Sequence, residues 1–223
     1  MIIAIDGGAG TGKTTIAKML SEKISYVHLN SGLLYRAVTF VFLKNNLFNK
    51  SDSFYKKFLS ELKLEVLGEM LNIVMYEKLD ITNQLFNNDI TDNIKFVSNN
   101  YHIRSYVTNL QRFLSLNKNV VCEGRDISSV VFPNAEFKFF LQCDIDERTN
   151  RRYQQFLRQN ISIDKSELKK MILKRDKNDA SREHSPLVRV PESILIDTTH
   201  LSVDEVILKM YNNIKGKHVN KRR

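Results

Sequence analysis

Eight consecutive residues near the N-terminus have the types and the spacing of a phosphate-binding loop. Residues 7–14 fit the pattern G-x-x-x-x-G-K-S/T, between a short apolar run and a segment that can begin a helix. Glycines let backbone N–H groups turn toward phosphate oxygens, close to the positive end of the following helix. In such a loop Lys13 reaches the β- and γ-phosphates of a nucleoside triphosphate, and the Thr14 hydroxyl holds Mg²⁺. The alternative from these residues alone is an ordinary glycine-rich turn. The residues expected to contact the triphosphate are Gly7, Gly8, Ala9, Gly10, Thr11, Gly12, Lys13, Thr14 and Thr15.

Two further clusters follow predicted strands. Ser31 stands at the start of a predicted helix with Arg36 further along it, and Arg125 and Asp126 directly follow another apolar run. Because the carboxyl ends of parallel strands meet at one edge of a sheet, these side chains are expected near the loop. From the residues alone, Arg36 could also be a solvated cation, and Arg125 with Asp126 a surface ion pair.

The remaining charged clusters lie in the last third of the chain. Arg175, Asp179 and Arg182 are spaced i, i+4 and i+7, which predicts one face of a helix. A second group of arginines lies within residues 148–158, and such a group is usually a solvated helix face. These types suit phosphate chemistry, since the arginine fork binds phosphate oxygens in pairs. The members of the second group are Arg148, Arg151, Arg152 and Arg158.

The elements that must position these residues alternate between strand and helix. This alternation predicts a parallel sheet covered by helices on both faces, with ligands at the carboxyl ends of the strands. Between them, successive hairpin signals predict three short antiparallel strands within about residues 60–82. The predicted strands of the main sheet are residues 2–5, 26–29, 119–124, 137–141 and 194–197. The predicted helices are residues 14–23, 30–43, 89–116, 147–158 and 166–179, and one that Ser202 opens with a capping-box pattern.

Composition restricts the possible classes of protein. The chain has 223 residues, of which 42% are hydrophobic and 26% charged, as is ordinary for a globular protein. It has no run long enough to span a membrane and no signal-peptide pattern, so we expect a cytoplasmic protein without a membrane partner. Cys122 and Cys143 lie in apolar runs and are expected to be reduced and buried. The formal charge of +9 favours polyanionic partners, either nucleotides or nucleic acid. The basic residues 217–223 are expected to be a frayed tail, and no sequence-level nucleic-acid-binding motif is visible.

Six sequence elements follow one another along almost the whole chain. The first two are the loop preceded by Ile5 and Asp6, and a D/N-S-G-x-x-Y-R element at residues 30–36. The later elements are G-R-D-I-x-x-V-V-F-P, E-R-x-x-R-R-Y, R-D-x-x-D-x-x-R and a closing I-D-T-T-x-L-S, at residues 124–133, 147–153, 175–182 and 196–202. The loop alone would not separate a kinase from a GTPase or a motor ATPase. In this order, the six elements resemble those of the bacterial cytidylate kinases, which phosphorylate CMP and dCMP with ATP.

The resemblance implies a fold and an organisation. The fold is α/β: a P-loop kinase with a five-stranded parallel sheet flanked by helices, plus a small three-stranded antiparallel insert and a lid. It implies a single kinase domain, with a core of residues 1–59 and 83–223, a nucleotide-binding insert at about 60–82 and a mobile lid at about 147–162. We expect a monomer that binds CMP, dCMP and ATP and no specific nucleic acid.

The resemblance also implies roles for individual residues. The residues implied to bind the acceptor nucleotide are Ser31, Arg36, Arg104, Arg125, Asp126, Arg175, Asp179 and Arg182. The residues implied to neutralise the transferred phosphoryl group are Lys13, Arg125, Arg175, Arg182 and the lid residue Arg152, together with Mg²⁺. No general base is implied, because phosphoryl transfer depends on positioning and charge neutralisation.

Four residues depart from the pattern of the family. Phe86 stands where an arginine is usual, and Lys95 stands where a serine that touches the nucleotide is usual. Ser128 replaces a glycine after the Arg125–Asp126 pair, and Asn178 replaces a second arginine in the predicted arginine helix. These departures leave open a kinase of another small acceptor such as UMP. The charge of +9 and the basic tail leave open a different class, a basic nucleic-acid-binding protein with a nucleotide-dependent switch.

Overall fold

The computed structural model describes residues 1–158 and 160–220, with only the backbone of residues 217–220. Residue 159 of the predicted lid and the side chains of the predicted basic tail therefore lie outside the described residues. The chain divides into two compact units: unit 1 comprises Met1–Ser25 and Val121–Arg223, and unit 2 comprises Tyr26–Val120. Within the described residues, a search for a helix of the length and apolar character that a membrane crossing requires finds none.

Strands and helices alternate through most of the chain, as predicted. In chain order they are β1 (Ile2–Gly7), α1 (Lys13–Ile24), β2 (Val27–Asn30), α2 (Ser31–Lys44), α3 (Asp52–Glu61), β3 (Leu64–Leu67), β4 (Ile73–Tyr76), β5 (Leu79–Asp80), a 3-10 helix (Thr82–Phe86), α4 (Asn88–Asn99), α5 (Tyr101–Leu114), β6 (Val120–Gly124), a π-helical turn (Ile127–Val131), β7 (Phe137–Gln142), α6 (Ile145–Arg158), α7 (Lys165–Ala180), β8 (Ile194–Asp197) and α8 (Val203–Asn220).

Five strands form the main sheet, in the order β2-β6-β1-β7-β8. β1 pairs in parallel with β7, with Ile5 opposite Phe139, and β7 pairs in parallel with β8. Strands buried on both faces are continuous apolar runs, and Ile3, Ala4 and Ile5 of β1 are fully buried. The prediction of a five-stranded parallel sheet is confirmed.

The predicted antiparallel strands are also confirmed. β3, β4 and β5 form a separate three-stranded antiparallel sheet within unit 2. Gly68 lies in the turn between β3 and β4 with a φ of +85°, and Glu77 and Lys78 form the next turn with positive φ angles. All three strands lie within the predicted range of about residues 60–82.

The structure differs from the sequence prediction at three helices. α3 was not predicted, although Ser51 caps it by accepting a hydrogen bond from the N–H of Phe54 at 3.3 Å. Asn100 divides the helical span predicted for residues 89–116, since it ends α4 and its side chain caps α5. α7 ends at Ala180, so the prediction that Arg182 shares its helix with Arg175 and Asp179 is wrong.

Two smaller predictions are confirmed. Ser202 and Glu205 form the predicted capping box: the N–H of Ser202 donates to the Glu205 carboxylate at 2.8 Å, and the N–H of Glu205 donates to the Ser202 hydroxyl at 3.3 Å. Cys122 and Cys143 are both buried, as expected.

Candidate active site

The glycine-rich loop joins the carboxyl end of β1 to the first turn of α1. A side chain at position 7 would place its Cβ 2.4 Å from the carbonyl oxygen of Leu141 in β7, so only glycine fits there. Gly12 precedes α1 in the left-handed region, with a φ of +86°, and no side chain caps the helix. The first N–H groups of α1 therefore have no capping side chain, which is the arrangement that favours a phosphate at a helix N-terminus.

Lys13 lies across this loop in a buried position. Its ammonium donates to the carbonyl oxygen of Gly8 at 2.6 Å and lies 3.4 Å from the Thr11 hydroxyl. Burial lowers the pKa of Lys13 well below its usual range, and the positive charges of Arg125 and Arg175 lower it further, against opposing effects of nearby carboxylates. An anion that entered the loop would reverse this effect, so the lysine is suited to bind phosphate.

Asp176 of α7 binds the backbone of the loop at Ala9. Its carboxylate accepts a hydrogen bond from the N–H of Ala9 at 2.7 Å and pairs with the Arg148 guanidinium of α6. Arg148 in turn donates to the carbonyl oxygen of Ala9 at 3.0 Å. Thus two helices fix one residue of the loop through a single ion pair, and Arg148 is not the solvated cation that its cluster suggested.

The other members of the predicted lid cluster have different surroundings. Arg151 pairs with Glu147 at 2.8 Å and donates to the carbonyl oxygen of Thr198 at 2.6 Å, which ties α6 to the segment after β8. Arg152 donates to the Gln155 side chain at 2.7 Å, and its guanidinium lies 4.9 Å from the centre of the Phe156 ring. Burial lowers the pKa of Arg152. A phosphate contact by Arg152 stays a prediction.

Asp6, the residue before the loop, anchors the segment that follows β6. Its fully buried carboxylate accepts hydrogen bonds from the N–H groups of Ile127 and Ser128, each at 2.8 Å, and from the Ser128 hydroxyl. Burial raises the pKa of Asp6, while the bonds from Ser128 and Ile127 oppose the shift. Ser128, a departure from the family pattern, therefore supplies a hydroxyl to a buried carboxyl group.

Asp179 joins two arginines of the predicted acceptor set. Its buried carboxylate accepts from Arg125 Nε at 2.8 Å and pairs with Arg182 on the chain just past the end of α7. Asp126 is 2% exposed, so the alternative of a surface ion pair between Arg125 and Asp126 is wrong. Arg175 is exposed on α7. Unit 1 thus brings Arg125, which is 54 residues away in the sequence, to the same carboxylate as Arg182.

Unit 2 contains the other three predicted acceptor residues. Ser31 is buried at the start of α2, which Asn30 caps by accepting from the N–H of Leu33 at 3.2 Å. Arg36 donates to the carbonyl oxygen of Leu85 at 2.9 Å, so the alternative of a solvated cation is wrong. The Arg104 guanidinium is buried, donates to the carbonyl oxygen of Ser98 at 2.7 Å and lies 5.2 Å from the centre of the Tyr35 ring.

Sequence reasoning missed two residues of this site. Asp6 and Asp176 stood inside the matched elements but received no role, although each is the acidic residue next to a predicted functional one. A carboxylate next to a glycine-rich loop or an arginine in the sequence could have indicated such a role, because buried N–H groups and guanidinium groups need acceptors. The residues that unit 1 brings together around the loop are Asp6, Lys13, Arg125, Ser128, Arg148, Asp176, Asp179 and Arg182.

Comparisons with known proteins agree with this geometry. The model of the family "Cytidylate kinase" matches residues 3–216. A cytidylate kinase from Carboxydothermus hydrogenoformans is 37% identical over 219 residues, which cover 98% of this chain and 99% of the relative. A cytidylate kinase from Fusobacterium nucleatum is 37% identical over 207 residues, with coverage of 93% and 94%.

Solved structures show the same fold at low sequence identity. A protein from Eubacterium ventriosum has a TM-score of 0.53 and 16% identity, and it aligns over 97% of this chain and 98% of its own. TT1252 from Thermus thermophilus has a TM-score of 0.50 and 15% identity, with 97% of each chain covered. The family model and the relatives, which span nearly the whole chain, show that this protein belongs to the cytidylate kinase family.

Proposed function

We propose that this protein transfers the γ-phosphoryl group of ATP to CMP and dCMP, giving ADP with CDP or dCDP. The observation that carries the proposal is geometric: unit 1 contains both the glycine-rich loop with Lys13 at the start of α1 and the buried pairing of Arg125 and Arg182 with Asp179. Burial lowers the pKa of Lys13, and the charges of Arg125 and Arg175 lower it further. The arginines that we assign to the acceptor therefore affect the protonation of Lys13, the lysine that we assign to ATP. The family and the relatives support neither a UMP kinase nor a nucleic-acid-binding switch.

The donor site would use the loop and the start of α1. The uncapped N–H groups of α1 and the ammonium of Lys13 would bind the phosphates of ATP. The exposed Thr14 hydroxyl in the first turn of α1 fits Mg²⁺, an ion that prefers oxygen ligands and usually takes the others from substrate phosphates and water. Among the described residues, no group of three or more His, Cys, Asp or Glu side chains could hold a metal by itself. When bound, the ion would supply positive charge to the phosphates.

The acceptor would be bound by arginines through its phosphate and by carboxylates through its base. Arginine binds phosphate oxygens in pairs, and a carboxylate accepts from the exocyclic amine of cytosine. In unit 1, the carboxylate of Asp179 pairs with both Arg125 and Arg182, so the two guanidinium groups already face one anionic group. A dianionic phosphate could replace or share that partner. The residues that we propose for the acceptor are Ser31, Arg36, Arg104, Arg125, Asp126, Arg175, Asp179 and Arg182.

Phosphoryl transfer would then depend on charge and geometry more than on proton transfer. The loose transition state spreads charge over the oxygens of the transferred group, and fixed cations stabilise it. Lys13, Arg125, Arg175 and Arg182 are the cations that we propose for this role, with Arg152 from the predicted lid. Exclusion of water by the lid at about residues 147–162 would direct transfer to the nucleotide and prevent hydrolysis of ATP.

The proposed organisation keeps a core of residues 1–59 and 83–223 and an insert at about residues 60–82. The separate antiparallel sheet of β3, β4 and β5 supports the insert. The proposal also includes a cytoplasmic monomer. Light scattering after size-exclusion chromatography tests the monomer, and a mass of twice the chain's 26.0 kDa would overturn it.

A substrate panel tests the proposed reaction. ADP release is measured with ATP, Mg²⁺ and each of CMP, dCMP, UMP, AMP and GMP. We expect CMP and dCMP to give the highest kcat/KM, and equal or greater activity with any other monophosphate would refute the assignment. Lys13→Ala is expected to abolish turnover, whereas Lys18→Ala, at an exposed position of the same helix, is the matched control and should behave as the unmodified enzyme.

A further inference from the structure

The side chain of Phe86 packs against the guanidinium of a residue that the proposed function places at the acceptor. The Cζ atom of Arg36 lies 5.4 Å from the centre of the Phe86 ring. The same guanidinium donates through Nη1 to the carbonyl oxygen of Leu85 at 2.9 Å and to the Thr91 hydroxyl at 3.3 Å. The 3-10 helix Thr82–Phe86 and the start of α4 therefore hold the end of a side chain that begins on α2.

Phe86 contributes little to the core of unit 2. It is 65% exposed, while its neighbour Leu85 is fully buried and attaches the 3-10 helix to the protein. An exposed ring can be removed without leaving a cavity, so its substitution should leave stability nearly unchanged. A single exposed aromatic residue needs no special explanation. This ring, however, lies against the Arg36 guanidinium, where it can orient the charged group.

A ring face can orient an arginine without adding a negative charge beside it. Guanidinium groups within about 6 Å of a ring centre are attracted by the electrons of its face. A carboxylate in the same place would orient the group too, but it would also compete with a phosphate for the cation. An arginine at position 86 would instead place a second positive charge beside Arg36.

We propose that Phe86 is a positioning residue of the acceptor site, whose ring holds the Arg36 guanidinium in the orientation that binds the acceptor's phosphate. This inference rests on the proposed function, because that function assigns Arg36 to the acceptor. The ring orients the Arg36 guanidinium without adding a charge at position 86. Phe86 thereby affects binding of the monophosphate and leaves binding of ATP unchanged.

Steady-state kinetics with paired variants test the proposal. Phe86→Leu removes the ring but keeps an apolar side chain, and Phe86→Tyr keeps the ring. The matched control is Phe113→Leu, since Phe113 is 68% exposed at the end of α5 in the same unit. For Phe86→Leu we expect KM of the monophosphate to rise about 2- to 5-fold, the effect of an exposed cation–π contact. KM of ATP and the melting temperature should stay unchanged, and Phe86→Tyr and Phe113→Leu should match the unmodified enzyme.

A double variant separates an effect through Arg36 from a direct contact of the ring with substrate. In an Arg36→Ala background, the added Phe86→Leu substitution should cause no further rise in the KM of the monophosphate. An unchanged KM in Phe86→Leu, an equal loss in Phe86→Tyr, or a full additional loss in the double variant would each overturn the proposal. All KM values are measured with the monophosphate that the unmodified enzyme uses best. A preference for UMP, for example, would refute the proposed function while the test of Phe86 still gives its answer.

Discussion

Substitution of Asp179 by alanine should destabilise the protein strongly. The Asp179 side chain is 7% exposed, and its partners Arg125 and Arg182 are 17% and 9% exposed. Its removal would take away the carboxylate that these two largely buried guanidinium groups share. The variant therefore raises the net charge of the three side chains from +1 to +2 and increases the repulsion between the arginines.

The size of the effect follows from the distance and the burial. At the 2.8 Å between Arg125 Nε and the Asp179 carboxylate, with an effective dielectric constant of about 20, the Coulomb attraction is about 6 kcal/mol. Desolvation offsets part of this attraction, and loss of one partner of a buried pair typically costs about 3–5 kcal/mol. Because domains are typically stable by about 5–15 kcal/mol, Asp179→Ala should lose a large fraction of the free energy of unfolding.

Urea unfolding followed by circular dichroism measures this loss, since the chain has no tryptophan for fluorescence. The control is Asp146→Ala, which breaks the exposed ion pair with Lys169 in the same unit and should cost less than about 1 kcal/mol. A loss below about 1 kcal/mol for Asp179→Ala would show that water or other groups already neutralise both arginines, and it would refute the reasoning. At temperatures where Asp179→Ala stays folded, KM of CMP should rise more than KM of ATP; an unchanged KM of CMP would remove Asp179 from the acceptor site.

Three further predictions concern the groups around the loop. Ser128→Ala should lower the free energy of unfolding in urea by about 1–3 kcal/mol, because Asp6 loses a hydroxyl donor. Burial raises the pKa of Asp6 in the folded state, so the stability of the protein falls as the pH rises through that pKa. Because the hydroxyl favours the charged carboxylate, the destabilisation caused by Ser128→Ala should grow over the same pH range. A loss that is equal at every pH would contradict this mechanism. ATP binding in alkaline solution should take up a proton at Lys13, because phosphate opposes the burial that lowers its pKa; calorimetry in two buffers of different ionisation enthalpy measures it, and identical heats would contradict it. Asp176→Asn should raise KM of ATP roughly tenfold, about 1.4 kcal/mol, since Arg148 loses its counter-charge; an equal rise in KM of CMP would instead indicate a general loss of structure.

Short-range signals explain most of what the sequence predicted correctly. The loop, the buried strand before it and the capping box at Ser202 each depend on residues a few positions apart, and each appears in the structure where it was expected. The predicted helix at residues 166–179 also agrees with α7 to within one residue at each end. The i, i+4, i+7 spacing was misleading only for Arg182, which lies beyond the helix and pairs with Asp179 from there.

Contacts between distant segments account for what the sequence could not predict. Arg125 and Asp179 are 54 residues apart, and Ala9 and Asp176 are 167 residues apart. No periodicity or spacing connects such residues, because they become neighbours only when the parallel strands and their helices assemble. The sequence could therefore name the types of group in the site, but it could not say which carboxylate neutralises which arginine.

Ser128 and Phe86, two of the residues that the resemblance to the family marks as unusual, have a common physical feature. Ser128 supplies a donor to the buried Asp6 carboxyl group, and Phe86 supplies a ring to the Arg36 guanidinium. In each case the unusual residue contacts a charged group that belongs to a matched element, and it changes how that group is held without changing the group itself. A substitution of this kind keeps the chemistry of the site and alters its orientation or its titration. The kinetic effects of Phe86 and the pH dependence of Ser128 should therefore appear in KM and in stability, and kcat should change little in either variant.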